Sequence, residues 1–386
     1  MAVGPRTVLY LHSSSGRYGA DRQLHLLASG LDPTRFTPLV VLPARGPLCD
    51  DLQASGVEVL VRDLSVLRRE HLSPGGLTQL AGRTASDAAW LARLIARRQA
   101  ALVHSNTSVV LGGAPAAVLT GRPHIWHVRE IYSRFSRWWP AYRRLLLTAN
   151  ALPCVSGATA AQFGRVAQRV RVIPDGLALQ PQRAPRADAR AALGLDSAAP
   201  AIAVLGRVSE WKGQDVLVRA LAEPQLSERG AIGLIAGDAW PGAEDRTGRV
   251  LELAEALGVS DRLHMIGFRD DLANVLGAAD LVAVPSTAPD PLPGSAIEAA
   301  AAGCAVVAAA HGGLPEIIRD GQTGCLVAPG DASALARTAA ELIDDPARRE
   351  RLGAAAAEDV RRRFSAERLH VAVQGLYDHV LARGRS

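Results

Sequence analysis

Lysine is nearly missing from this chain. Of its 43 basic residues only Lys212 is a lysine, so the bias that made every other positive charge an arginine did not act there. Cysteine is scarce too: Cys49, Cys154, Cys304 and Cys325 are scattered without ligand spacing, which argues against a zinc site or a disulfide framework and for four reduced, mostly buried thiols. The Ala-rich run from Ala296 to Ala310 is broken by Glu298 and Gly303, so it does not read as a transmembrane helix. Between Met1 and the apolar segment Thr7 to Leu11 there is no charged n-region, apolar h-region or small-residue cleavage site, and the expectation is a cytoplasmic protein. G-x-G-x-x-G is absent after the first strand-like run, which disfavours a dinucleotide oxidoreductase.

What is present is enough for two ordinary cores: 386 residues, 48% of them hydrophobic. A net charge of +5 is modest over this length. It suits an anionic substrate or a membrane surface better than nucleic acid.

In the N-terminal half, strand-like runs at Thr7 to Leu11, Pro38 to Leu42, Val57 to Val61, Ala101 to His104, His124 to His127 and Val170 to Ile173 alternate with helical stretches. That pattern predicts a parallel sheet in a Rossmann-like domain over residues 1–178. Gly19 opens an amphipathic segment carrying Leu24, Leu26, Leu27 and Leu31, where its backbone either meets a ligand or simply starts a helix. His127 ends a strand at the carboxyl edge of the sheet, where ligands of open α/β sheets bind, and can donate to a hydroxyl or shuttle a proton. His124 lies on the opposite face and reads as structural. Residues 132–147 hold five of the chain's 16 aromatics, four arginines and no acid. Such a mixture fits either a helix packed on the domain or a surface that docks on anionic lipid.

A stretch without apolar periodicity, 179–187, reads as the linker to a second Rossmann-like domain, 188–363, followed by a terminal helical segment, 364–386. The second domain contains Gly206-Arg207-Val208-Ser209-Glu210-Trp211-Lys212-Gly213, between the buried strand-like Ala201 to Leu205 and a helical face of Val216, Leu217, Ala220 and Leu221. At a strand-to-helix turn, free N–H groups and the helix dipole favour an anion, and an arginine fork with a lysine point charge suits a diphosphate. Solvated loop charges are the plainer alternative. Asp290 and Glu298 flank a Pro/Gly-rich loop leading into a helix near Ser295. Carboxylates can hold sugar diols, and the amides of Gly294 and Ser295, unlike that of Pro293, can donate. Phe268 and Arg269 close a strand where loop backbone can meet a nucleobase, or form an ordinary turn.

Taken together, G-R-x-x-x-x-K-G, Asp290-x7-Glu298, Gly312-Gly313-x-x-Glu316 and Gly321-x-x-Gly324, in this order, resemble the family-4 retaining glycosyltransferases of the GT-B fold. The resemblance covers essentially the whole chain and is strongest from Gly206 to Gly324. It implies two facing Rossmann-like domains with parallel sheets, and a last helix crossing back to the first domain. It also implies Arg207 and Lys212 on the donor diphosphate, His127 beside the donor sugar, Gly19 near the diphosphate or acceptor, and Asp290 on sugar hydroxyls. Gly294 and Ser295 would hold sugar and phosphate, Glu298 the ribose, and Phe268 and Arg269 the base. Tyr18 stands where the family's G-G-x-x-R loop has its first glycine. Asp290 stands where the family has Glu, one methylene longer, and Asp175 where Asn is common.

The expected activity is transfer of a sugar from a nucleotide-diphosphate donor, UDP- or GDP-linked, to a glycan or lipid-linked acceptor. No metal or other cofactor is called for, because Arg207 and Lys212 stand where a divalent ion would balance the leaving group. The rival readings are an epimerase or hydrolase of the same fold, and a non-catalytic sugar-nucleotide binder.

Overall fold

A computed structural model describes residues 4–71, 73–132, 137–164, 169–178, 181–195, 198–239, 243 and 245–383. The chain divides into two compact units, Met1–Ala178 with Ala366–Ser386, and Leu179–Ser365.

The first unit is built on five parallel strands: β1 (Arg6–Leu11), β2 (Phe36–Leu42), β3 (Glu58–Val61), β4 (Leu102–Ser105) and β5 (His124–Trp126), in the order β3-β2-β1-β4-β5. Successive side chains of β1 serve opposite faces, as strand geometry requires. Val8 and Tyr10 join Leu24, Leu27 and Ile125 on one side, while Leu9 and Leu11 join Leu91, Ile95 and Val103 on the other. Both faces are covered, which is why these strands read as continuous apolar runs.

The Val170 run does not extend this sheet. β7 (Val170–Val172) pairs with β6 (Leu152–Cys154) in a separate two-stranded parallel sheet, tied back by single bridges at Ala151 and Cys154. β6 was not anticipated, because three residues centred on Pro153 carry almost no strand signal.

The helix Ala366–Arg383 belongs to this first unit, although the chain reaches it only after completing the second. Its Leu369, Val373, Leu376, Tyr377 and Val380 are buried in the same cluster as Val8 and Tyr10.

The second unit has six parallel strands: β8 (Ala201–Leu205), β9 (Ile232–Ala236), β10 (Leu263–Gly267), β11 (Leu281–Val284), β12 (Ala305–Ala309) and β13 (Cys325–Val327), in the order β10-β9-β8-β11-β12-β13. The short β13 was also missed in the sequence. The supposed linker is partly structured: Pro185 precedes a helix, Arg186–Ala192, and the Ala184 N–H bonds the carbonyl of Ala273 at 3.0 Å. Proline's fixed φ sets up the entry to that helix, so Arg186 and Ala187 belong to the second unit's structure. Leu179 and Gln180 lie outside the described residues.

In each sheet the strand order reverses once, between β1 and β4 and between β8 and β11. In open α/β sheets the carboxyl ends at such a point are where ligands bind. All four cysteines are buried and free, and burial pushes the Cys154 thiol up to about 12 and that of Cys304 up to about 11. Among the described residues no helix is long and apolar enough to cross a membrane.

Candidate functional site

At the reversal point of the second unit, the loop after β8 meets the loop after β11. Gly206, at φ 124°, turns the chain out of the strand, and Gly213, at φ 77°, turns it into the helix Gln214–Ala222. A side chain at Gly213 would place its Cβ 2.0 Å from the Pro285 carbonyl oxygen, so this glycine is what lets the two loops touch. The contact is sealed by the Thr287 N–H donating to the Trp211 carbonyl at 2.8 Å. Gln214 Nε2 donates to the Arg207 carbonyl at 2.9 Å and closes the loop on itself.

Within this frame Lys212 Nζ lies 2.7 Å from Asp290 Oδ2 and 4.4 Å above the Trp211 ring. The lysine side chain is 20% exposed and that of Asp290 5%. Asp290 is itself fixed from behind: its carbonyl accepts the Gly313 N–H at 2.7 Å, and a Cβ at Gly312 would fall 2.4 Å from the same oxygen. The glycine pair singled out in the sequence thus supports the aspartate backbone.

Arg207 is half-buried in the same loop. The helix Gly294–Ala301 begins one residue earlier than the sequence suggested, with Pro293 at its N-cap and no side chain capping it. Gly294 is exposed and its Cβ position is open, Ser295 is half-buried in the first turn, and Glu298 is half-buried one turn on. Arg207, Lys212 and Asp290 therefore lie on the loops leaving β8 and β11, and Gly294, Ser295 and Glu298 on the helix that follows the second of them.

Phe268 and Arg269 sit apart, after the edge strand β10. The Phe268 N–H donates to Asp238 Oδ1 at 3.1 Å. Arg269 Nε donates to Asp271 Oδ1 at 2.6 Å, and these hydrogen bonds hold the Asp271 carboxyl down at about 2.

In the first unit His127 lies just past the end of β5, its N–H bonded to the Ser105 carbonyl at 2.9 Å. It is fully buried, stacks on His104 with centroids 5.5 Å apart and planes at 15°, and among the described residues neither ring nitrogen has a partner. Burial, reinforced by the nearby Arg129 charge, holds its pKa well below the usual range, so the imidazole is neutral. Buried polar nitrogens left unpaired are costly, so this ring is an unusual feature of the core. His124, by contrast, bonds Ser105 Oγ at 3.0 Å, and burial depresses it to about 3; it is the structural member of the pair.

Gly19 is the first residue of the helix Gly19–Ser29, with open space where a Cβ would be. Around it runs a buried network absent from the sequence reading. Asp21 Oδ1 lies 2.9 Å from His12 Nε2, and Asp21 also accepts from Ser14 and the Tyr18 N–H. Burial alone would raise the Asp21 carboxyl, but those hydrogen bonds hold it below its ordinary value. His12 Nδ1 is 3.2 Å from Asn106 Nδ2, the Asn106 carbonyl accepts from Arg129 Nε at 2.9 Å, and Arg129 pairs with Asp175. These residues come from four separate stretches of the chain, and of their side chains only that of Asp175, where the resembling family commonly has Asn, is singled out in the sequence.

The aromatic and basic stretch divides by face. Ser133 to Ser136 lie outside the described residues. In the helix Trp139–Leu146, Trp139, Tyr142 and Leu146 pack inward against Phe163 and Val128, whereas Arg137, Trp138, Arg144 and Leu145 are exposed. Among the described residues no three His, Cys, Asp or Glu side chains converge as a metal site.

Residues 185–359 match the family "Glycosyl transferases group 1" and residues 18–180 match "Glycosyltransferase Family 4". The chain is 38% identical over 197 residues to a D-inositol 3-phosphate glycosyltransferase of Nocardia farcinica, a match covering 50% of this chain and 43% of that protein. It thus spans less than half the length of the curated relatives it matches. Among solved structures, Anabaena HepE in complex with UDP and glucose superposes with a TM-score of 0.81 at 26% identity, over 96% of this chain and 99% of that one. The fold is also that of sucrose-phosphate synthase from Thermosynechococcus elongatus (TM-score 0.78, 23% identity, 98% of this chain and 100% of that one). Two Rossmann-like units with parallel sheets make this the GT-B fold, and the chain belongs to the group 1 glycosyltransferases of family 4.

Proposed function

We propose that this protein transfers a sugar, with retention at the anomeric carbon and without a divalent ion, from a nucleotide-diphosphate sugar to a glycan or lipid-linked acceptor. The observation that carries this reading is the sole lysine, held at 2.7 Å from Asp290 on a glycine-framed strand-to-helix turn. Arg207 and Lys212 take the charge that develops on the departing diphosphate, each well-placed donor being worth on the order of 3 kcal/mol. Gly294 and Ser295 offer amides to the sugar and phosphate, and Glu298 accepts from the ribose; in the first unit, the neutral His127 is the group offered to a substrate hydroxyl. UDP is the first donor base to test, because HepE binds UDP and glucose; GDP is the second.

Thermal-shift screening of UDP-, GDP- and ADP-sugars, followed by transfer assays and anomer analysis of the product, tests the reading. Stabilisation by none of them overturns it, as does an inverted product for the retaining step. Donor consumed without acceptor selects the epimerase or hydrolase reading, and binding without transfer to any acceptor selects the non-catalytic one.

The exposed Arg137, Trp138, Arg144 and Leu145 support a second element: peripheral docking of the first unit on an anionic membrane, at the cytoplasmic face, to reach a lipid-linked acceptor in cell-surface polysaccharide or glycolipid synthesis. Liposome flotation that ignores anionic lipid content counts against it.

A further inference from the structure

Behind His127 the first unit carries a buried polar chain that the proposed chemistry does not use. Tyr10 Oη and Tyr377 Oη are 2.7 Å apart, and Tyr377 Oη is 2.6 Å from His104 Nδ1. All three side chains are fully buried. The His104 ring, held by that bond, forms the face on which His127 stacks at 5.5 Å. Three polar groups here replace the apolar side chains that a β1–β4 core would otherwise take; both hydroxyls and His104 Nδ1 are paired, while His104 Nε2 has no partner among the described residues.

We propose that Tyr377, delivered by the Ala366–Arg383 helix, is a positioning residue: its hydroxyl fixes the tautomer and plane of His104, and the stacked His104 ring sets the orientation of His127. This rests on the role given to His127 above. With Tyr10 donating to Tyr377 and Tyr377 donating to Nδ1, each hydroxyl hydrogen is used and His104 carries its proton on Nε2. The reverse order places that proton on Nδ1. The first order is favoured, because the reverse leaves both the Tyr10 hydroxyl hydrogen and the Nε2 lone pair without a partner among the described residues. His104 is depressed by burial to about 3 and burial raises both tyrosines, so all three groups are neutral.

Tyr377→Phe keeps the ring that packs edge-on against Phe36 at 5.4 Å and removes only the hydroxyl. The expected result is a roughly tenfold lower kcat with donor KM within twofold of wild type, a range typical of a lost positioning contact. His104→Phe should lower kcat similarly, and Tyr377→Phe should add nothing to it. Unchanged kcat in folded Tyr377→Phe overturns the inference, as do fully additive losses in the double variant. Should Tyr377→Phe not fold, ring-nitrogen NMR of the wild type decides: one neutral His104 tautomer from pH 5 to 8 is required, and a mixture of both overturns the inference. That measurement needs no substrate, so it stands even if the wild type transfers no sugar, the result that instead sinks the functional reading.

Discussion

Lys212 and Asp290, 78 residues apart in the chain, form an ion pair with Nζ and Oδ2 at 2.7 Å. Any diphosphate that the lysine is to hold must compete with that carboxylate. Asp290→Asn removes the competitor while leaving the side chain's size unchanged, so affinity for free UDP should rise about threefold to tenfold, or about 0.7–1.4 kcal/mol, while turnover falls. Calorimetric titration with UDP alone checks this, and unchanged affinity means that the pair does not compete with the nucleotide.

Lys212→Ala should lower turnover roughly a hundredfold or more, because a donor aimed at developing charge contributes mainly in the transition state. Steady-state kinetics at saturating donor measure this. Turnover near the wild-type rate would remove Lys212 from the leaving-group site.

Gly213→Ala forces a Cβ to within 2.0 Å of the Pro285 oxygen at a φ of 77°. Both loops must then move, at an expected cost of about 2 kcal/mol or more, with loss of donor binding. Gly294→Ala, where the Cβ meets open space, should be far milder. Denaturant melts of the two variants side by side make the comparison.

His104, His124 and His127 are all held below the usual histidine range by burial. The unfolded chain therefore binds protons that the folded chain refuses. Their contribution to stability is complete above the ordinary value near 6.5 and is lost as pH falls below it. The slope should approach about 1.4 kcal/mol per pH unit for each histidine. Urea melts from pH 7.5 to 5 should show the first unit weakening steeply, and a flat profile contradicts this burial.

Arg129 is 6% exposed and holds both Asn106 and Asp175. Arg129→Ala leaves a carboxylate without its counter-charge and should cost about 3 kcal/mol of stability. Equilibrium unfolding reads this directly, and a change under 1 kcal/mol would mean that water replaces the arginine.

Parallel strands buried on both faces announce themselves as apolar runs, which is why β1 and β8 were legible to within a residue. β6 and β13 were not: β6 is centred on Pro153, and β13 is three residues, Cys325–Val327, just past Gly324. Lys212 stood out by its rarity, but nothing local joins it to Asp290, and resemblance alone assigned that aspartate to sugar hydroxyls. The arrangement of His12, Asp21, Asn106, Arg129 and Asp175 is likewise a product of the sheet, which brings together groups up to 163 residues apart. Arg269 was the opposite case: its partner Asp271 is two positions on, and that local pairing was visible but not weighed.

The placement of Ala366–Arg383 has a consequence for synthesis. Tyr10 is made before any of the second unit, yet the side chains that share its core cluster, Leu369, Val373 and Tyr377, emerge more than 350 residues later. The half that leaves the ribosome first is thus the half that matures last, its apolar surface waiting for a lid while residues 179–365 can already close their own core. Clipping the chain before Ala366 should spare the later-made unit and leave the earlier one sticky.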